Sequence, residues 1–493
     1  MSSKKDNFPV VLCGGSNGTA YFSGLWSSGR LPSGAHPVRV VTHRPERFKE
    51  PLTVRESYQP GKGTALGDSV AAPISWQKYK SGKVDAYNWD NLATAFRDVA
   101  CIWICAPVNA YGEMLEKIMP AAAAEAKRTG RTKENPLLVC VMYAQGGVDW
   151  LALSKIGGKL PEGLGLCLLK NFPALISRTS DTLVQNFGYH PNCAWFAPVP
   201  KSAGKPAARM LKVLFASTSQ SWAVQELSTP LLCTLGGSNQ LLHPTIIGGL
   251  LGDAPGRTFD EQPKVYRNLP WKCFDLMGAC WQETMALGEA LEEKLQLSIM
   301  DKIGNTSVVR NVMKLYAHKW PRPLPGMLTW GAIYGSSRLR AAKMPIVPNP
   351  FKDDEISRQE GDEGEYVLNV DHRFIVDDVP YGLCVIYGIA AIVGCPMPET
   401  GKLIADLQLY LKKEYVVVKG ARFVLEGRDA METGAPQAYG VKTLEQLRSL
   451  VVDEQLPYLA SEVSDNGSQY PMATAVTRNN TNATLPVQIA SRL

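Results

Sequence analysis

Up to Pro200 the chain alternates short apolar runs with longer amphipathic stretches, the pattern of strands followed by helices. Val10 to Cys13 reads as a strand that stops abruptly at Gly14-Gly15-Ser16-Asn17-Gly18, and a helix follows from Thr19 to Gly29. Val38 to Thr42 is the second strand. Glu50 to Lys83 is polar and broken by glycine and proline, which predicts loops or an edge hairpin. A short helix over Asn88 to Arg97 leads into a buried strand within Asp98 to Pro107 and a long helix over Tyr111 to Lys127. Leu137 to Tyr143 is a strand ending in Ala144-Gln145-Gly146-Gly147, and Leu164 to Leu169 and Cys193 to Val199 read as further strands. This alternation predicts a parallel sheet covered on both faces, with ligands gathered beyond the carboxyl ends of its strands.

The pattern changes at Lys201-Ser-Ala-Gly-Lys-Pro206, a linker-like turn. Beyond it, helices are predicted over Ala207 to Phe215, Val224 to Leu231, Pro270 to Leu295 and Ser307 to Lys319. A loop block rich in proline and charge follows, Trp320 to Glu363, and then helices over Tyr381 to Val393, Glu399 to Lys412 and Leu444 to Val452. The expected organisation is an α/β domain over 1–205, an all-α domain over 206–460 and a flexible tail over 461–493. No internal repeat is visible.

Composition narrows the class of protein. With 493 residues, 45% hydrophobic and 20% charged, the chain is long enough for more than one core. A net charge of +6 without any basic block argues against nucleic acid as a partner. No apolar run approaches the ~18 residues of a membrane span, so no membrane partner is expected. The N-terminal MSSKKDNFPVV leads straight into the first strand, which leaves no room for a signal peptide. The 11 cysteines are scattered without a CxxC pair, as in a reduced compartment. The sequons at Asn479 and Asn482 therefore carry little weight. No His/Cys/Asp cluster has ligand spacing, so no metal is expected. The chain ends in Ser491-Arg492-Leu493, a variant of the Ser-Lys-Leu address that a peroxisomal import receptor reads; a peroxisome-type organelle and the cytosol are the two expectations.

The first strand and its glycine turn carry the first piece of chemistry. Strand, glycine turn and helix open a Rossmann-type dinucleotide-binding unit. Glycines let the backbone approach a pyrophosphate, and the helix N-terminus offers free N–H groups to it. Gly14, Gly15, Ser16, Asn17, Gly18 and Thr19 are the cofactor-binding candidates. Ser16 and Thr19 stand where glycine or alanine is usual, so the Ser16 hydroxyl has to be accommodated near the pyrophosphate. The second strand ends in Thr42-His43-Arg44 rather than in an acidic residue. Arg44 suits a 2′-phosphate, which favours NADP over NAD; a solvated basic loop is the plainer reading.

Six histidines make the search for proton-transfer groups short. His36, His43, His190 and His318 have no motif around them, whereas His372 adjoins Arg373. His243 lies in Gly236-Gly237-Ser238-Asn239-Gln240-Leu241-Leu242-His243-Pro244, where Asn239 and a His-Pro step interrupt apolar sequence. From spacing alone, a structural histidine capping a helix is the simpler account. Downstream, Arg373-Phe-Ile-Val-Asp-Asp378-Val-Pro-Tyr-Gly382 precedes an apolar helix. Asp378 there is by default an N-cap and Arg373 a surface ion-pair partner. A functional reading joins them: Asp378 hydrogen-bonds one ring nitrogen of His243, and Arg373 clamps a substrate carboxylate.

Together, Cys13-Gly-Gly-Ser-Asn-Gly18, Ser23-Gly24-Leu25, Asn239-x-x-x-His243-Pro244 and Arg373-x4-Asp378-Val-Pro-Tyr-Gly382 resemble the opine dehydrogenases of the octopine/nopaline dehydrogenase type. The resemblance runs from residue 8 to about 415, with divergent stretches between the motifs. It implies an α/β Rossmann-type N-terminal domain followed by an all-α C-terminal domain, with the site in the cleft between them. It also implies NAD(P)H-dependent reduction of the imine formed from an amino acid and a 2-oxo acid such as pyruvate. Carried over, His243 and Asp378 are the catalytic pair, and Arg373 and Asn239 are substrate-binding residues. A hydroxy-acid dehydrogenase on the same plan and a catalytically silent dinucleotide sensor are the competing expectations. Glu50–Lys83 and Trp320–Glu363 depart from the short loops the resemblance implies. The sequence leaves oligomeric state and substrate identity open.

Overall fold

The computed structural model describes residues 7–58, 75–189, 193–216, 223–237, 239–252, 258–267, 269–300, 323–334, 343–350 and 364–456. The expected helix over Ser307 to Lys319, the tail with its sequons, and Ser491 to Leu493 lie outside the described residues. In chain order the first strands are β1 (Val10–Cys13), β2 (Val38–Val41), β3 (Thr53–Tyr58), β4 (Ser75–Lys80), β5 (Val84–Tyr87) and β6 (Cys101–Ile104). They are followed by β7 (Leu137–Val141), β8 (Leu164–Leu169), β9 (Ala174–Ser180), β10 (Leu183–Tyr189), β11 (Cys193–Val199) and β12 (Ala223–Glu226). The helices of this half are α1 (Asn17–Ser27), α2 (Leu92–Ala95), α3 (Tyr111–Arg128), α4 (Val148–Ser154) and α5 (Gly204–Leu214).

Eight strands form one sheet in the order β12-β11-β8-β7-β6-β1-β2-β5. From β5 to β8 the strands run parallel, β11 reverses against β8, and β12 runs parallel to β11. All residues of β1, β6, β7 and β8 are buried, which accounts for their continuous apolar sequence. The order turns back between β1 and β6, so a crevice opens at their carboxyl ends, where doubly wound sheets take ligands.

A second sheet, β4-β3-β10-β9, is the element sequence reasoning missed. β3 and β4 do pair antiparallel, as the hairpin option for Glu50–Lys83 required, but in a sheet of their own and not at the edge of the main one. That sheet covers the outer face of α1. Tyr21 and Phe22 of α1 pack with Val54 of β3 and Val184 of β10, and the Asn186 amide donates to the Tyr21 hydroxyl at 2.9 Å. A Cβ at Gly24 would come within 2.6 Å of Val54 Cγ2. With sheets on both sides, every residue from Gly18 to Ser27 is buried. The absence of any charge between Asn17 and Gly29 is the sequence signal of this double covering.

The helical half begins with the short α6 (Leu231–Thr234), then α7 (Asn239–Leu251), α8 (Trp271–Leu295) and α9 (Pro323–Tyr334). After these come α10 (Arg373–Val376), α11 (Cys384–Val393) and α12 (Pro398–Leu411). Two expectations are corrected here. Val224 to Leu231 is not a helix; it holds strand β12, which the open edge of β11 recruits. The block Trp320 to Glu363 is not all loop, because α9 lies in it. Pro323 and Pro325 fall in its first turn, where no N–H is needed, and Trp330 meets Phe274 of α8 edge-on at 5.6 Å. Small antiparallel additions decorate the helices: β13 (Thr258–Phe259), β14 (Ile346–Pro348) and β15 (Tyr366–Leu368), and the hairpin β16 (Val417–Lys419) with β17 (Arg422–Val424).

One apolar cluster joins Val11, Ile104 and Val141 of the sheet to Ile246, Met277 and Leu383 of the helical half. A second fills the opposite face of the sheet around α1. Arg373–Val393 is apolar enough to cross a membrane by composition, but 72% of that window is buried, as befits a core helix. Apart from Cys193, the cysteines are free thiols, all buried except the half-buried Cys395.

Candidate functional site

The glycine turn sits at the sheet's crevice. Gly14 takes φ +125°, and a Cβ there would lie 2.5 Å from the Cys105 carbonyl oxygen just beyond β6. Only glycine fits such a backbone so close to a neighbouring strand. The two departures from the fingerprint find a local reason. Ser16 is the N-cap of α1, its Oγ accepting from the Thr19 N–H at 3.2 Å and donating to the Cys105 carbonyl at 2.7 Å. Thr19 Oγ1 donates to the same carbonyl at 3.2 Å. The hydroxyls thus tie α1 to β6, and the Ser16 side chain turns inward instead of towards a pyrophosphate. Gly18 carries the close packing, since a Cβ there would meet Cys105 Sγ at 2.5 Å and Phe172 Cζ at 2.6 Å.

Arg44 is exposed beyond β2, its N–H donating to the Thr42 hydroxyl at 3.3 Å. It lines a surface cavity of about 370 Å³ with Glu46, Arg47, Glu50, Asp181 and Thr182. The Arg47–Asp181 ion pair, at 2.6 Å, fastens the β9–β10 turn to this edge. Nothing in the sequence pattern linked that turn to Arg44.

The second half of the site is built on α7 and on the Arg373–Leu383 segment. His243 Nδ1 lies 2.8 Å from Asp378 Oδ2, with both residues buried. Asp378 Oδ1 accepts from Gln145 Nε2 at 3.1 Å. An ionised carboxylate only accepts, so the proton on Nδ1 is His243's own and Nε2 is the nitrogen left for exchange. The Tyr266 hydroxyl lies 3.1 Å from that Nε2. Phe374 stacks on the imidazole at 3.7 Å between centroids. Trp330 of α9 holds the Tyr266 backbone carbonyl at 3.0 Å.

Asp378 is not the side-chain cap that its default reading assigned. It precedes a π-helical turn, Val379–Leu383, in which its carbonyl accepts from the Leu383 N–H at 2.9 Å. Pro380 lacks an N–H, which favours the widened turn. Arg373 is exposed, its guanidinium 5.5 Å from the Phe374 ring, and forms no ion pair among the described residues. Asn239 is half-buried in the first turn of α7, one turn before His243.

The remaining histidines separate cleanly. His372 caps α10, accepting from the Phe374 N–H at 3.3 Å. Burial, with the charges of Arg373 and His243, pushes its pKa down to about 4. His36 accepts from the Phe8 N–H and bonds Ser33, a structural role. His43 is exposed near Trp89. His190 and His318 lie outside the described residues.

Four contributors escaped the sequence reading. Gln145 had a usable signal, a lone polar residue in the small-residue loop after β7. Phe374 lies inside the Arg373–Asp378 motif without any mark of its own. Asp377 fastens the β6–α3 loop by accepting from the Asn109 N–H at 2.9 Å, and burial pushes its pKa up to about 6. Tyr266 had no signal, being in an irregular stretch. The assembly can exchange a proton at His243 Nε2 beside a cation that suits a carboxylate.

Comparison with known proteins fits this geometry. Residues 226–410 match the family model described as NAD/NADP octopine/nopaline dehydrogenase, alpha-helical domain. Tauropine dehydrogenase of Arabella iricolor is 29% identical over 210 residues, covering 42% of this chain and 47% of the relative. Opine dehydrogenase of Haliotis discus hannai is 28% identical over 222 residues, covering 45% of this chain and 49% of the relative. The matched stretch therefore spans about half the length of these curated relatives. The solved structure of octopine dehydrogenase with NADH and L-arginine superposes with a TM-score of 0.66 at 19% identity, over 90% of this chain and 98% of that one. NADP+-bound yersinopine dehydrogenase gives 0.55 at 13% identity, over 82% and 91%. At such identities the likeness establishes the two-part fold, a Rossmann-type domain followed by a helical one.

Proposed function

We propose that this chain, whose residues 226–410 match the model of the octopine/nopaline dehydrogenase helical domain, couples an amino acid to a 2-oxo acid and reduces the resulting imine with a nicotinamide dinucleotide. The observation that carries the reading is the buried His243–Asp378 pair, built on the matched domain and steadied by Gln145 from the α/β half. The balance is amino acid, 2-oxo acid, NAD(P)H and a proton giving an N-(1-carboxyalkyl) amino acid, NAD(P)+ and water.

The cradle fits a dinucleotide. Gly14 permits a close backbone approach at the switch point, and the α1 N-terminus offers N–H groups beyond the one Ser16 takes. Gly15, Ser16, Asn17, Gly18 and Thr19 would hold the pyrophosphate through this turn. Arg44, exposed at the end of β2, would take a 2′-phosphate, which makes NADP the favoured form over NAD. The reduced nicotinamide supplies the hydride when bound.

The protein's own part is orientation and proton transfer. Arg373 holds the 2-oxo acid by its carboxylate, and Asn239 contributes to the same subsite. His243 accepts a proton at Nε2 from the incoming ammonium, freeing its lone pair for the carbonyl carbon. It returns a proton to the hydroxyl that leaves as water. Asp378 keeps Nδ1–H in place and stabilises the imidazolium formed in between, while Gln145 fixes Asp378. An intact dyad speaks against a silent sensor.

The deciding assay follows NADPH and NADH oxidation with pyruvate, alone and with each standard amino acid. Amine-dependent turnover is expected. Equal turnover without any amine would make the enzyme a hydroxy-acid dehydrogenase instead. For location we propose the peroxisome, on the strength of Ser491-Arg492-Leu493. Deleting that tripeptide should then release the protein to the cytosol, and an unchanged distribution would refute the address.

A further inference from the structure

We propose that Gln240 and Gln145 form the subsite for the amino group of the amine substrate, with Gln240 as a specificity-determining residue. The inference rests on the reductive-condensation reading above. Gln240 lies one turn before His243 on α7, so both project from one face of the helix. It is 0% exposed, and neither its Oε1 nor its Nε2 has a hydrogen-bond partner among the described residues. Gln145 is 1% exposed, and its Oε1 is likewise without one. Its amide orientation is fixed, because Nε2 must be the atom that donates to the Asp378 carboxylate.

Two glycines bring their backbone up against these amides, where any side chain would collide. A Cβ at Gly382 would stand 2.6 Å from Gln240 Cβ and 3.3 Å from Gln145 Nε2. A Cβ at Gly237 would stand 3.2 Å from Gln145 Oε1. Leaving such groups unbonded is unfavourable in a buried setting, a cost that a bound ligand removes.

Counting donors identifies the ligand. The subsite offers two acceptor oxygens and one NH₂ donor. A 2-oxo acid carries only acceptors, so it cannot satisfy the oxygens. An α-amino acid carries N–H groups for Gln145 Oε1 and Gln240 Oε1, and an adjacent carboxylate for Gln240 Nε2. Held this way beside His243, the amine presents its lone pair to the carbonyl carbon of the acid on Arg373.

The test compares wild type with Gln240→Leu and with the unbranched Gln240→Met, using pyruvate and whichever standard amino acid best supports wild-type NAD(P)H oxidation. Both variants should raise KM for the amino acid by about 10-fold or more and leave KM for pyruvate within about twofold. Thermal unfolding of the free protein should occur at the same or a higher temperature, since an unbonded amide has been replaced by apolar atoms. An amino-acid KM that moves less than about threefold, or a pyruvate KM that moves equally, overturns the subsite. Absence of any amine-dependent wild-type turnover overturns the reading beneath it, so the two failures are distinct.

Discussion

His243 and Asp378 stand 135 positions apart in the chain, yet their side chains meet at 2.8 Å with only 5% and 7% of their surfaces exposed. Asp378→Asn keeps the shape but lets an NH₂ group face Nδ1, which moves the imidazole proton to Nε2. Activity should fall at least about 10²-fold in kcat with cofactor binding intact. A kcat near wild type would mean that the pair is only structural.

Tyr266 occupies the position next to Nε2 that a substrate atom has to share or take over. Its hydroxyl is therefore the natural conduit between that nitrogen and the reacting centre. Tyr266→Phe should lower kcat about 10-fold, with little change in either substrate KM. Unaltered kcat at saturation would mean that substrate displaces the hydroxyl.

Arg44 has no competing ion pair among the described residues. Arg44→Ala should weaken NADPH binding by about 10-fold or more, in the range of a lost charged hydrogen bond, and should hardly affect NADH. Equal losses in a fluorescence titration would remove the 2′-phosphate from its role.

Asp149, at the start of α4, is buried with Oδ1 unpartnered among the described residues, and desolvation pushes its pKa up to about 7. A carboxyl raised in the folded state adds stability that is complete below its unfolded pKa of 3.8 and is lost as pH rises through about 7. Asp149→Asn removes the ionisable group. Its unfolding temperature relative to wild type should climb between pH 5 and pH 8, and a difference that stays flat would contradict the assignment.

The central strands β1, β6, β7 and β8 were legible because they are buried throughout, and such runs stand out without neighbours to interpret them, whereas the half-exposed edge strands β5 and β12 were not. His243 and Asp378 were legible through the order of their motifs. The second sheet was not. Its strands are split between residues 53–80 and 174–189, and what unites them is the outer face of α1, a partner elsewhere in the sequence. Val224 to Leu231 misled for a related reason: a few apolar residues suit helix or strand, and the open edge of β11 decided. Ser16 looked like a blemish in a ligand-binding turn because its use, a cap tied to Cys105, depends on where β6 ends. Tyr266 reaches His243 only through the packing of α9 and could not be foreseen.

The apolar cluster that runs unbroken from β1 into α7, α8 and α11 bears on how far the two halves can be exchanged. The two halves are not interchangeable cassettes. A helical half taken from another protein would have to match the joint where Asn109 meets Asp377, Gln145 meets Asp378 and Trp150 meets Gly434. The whole chain should melt in one calorimetric step, and two separate transitions would show the halves to be independent after all.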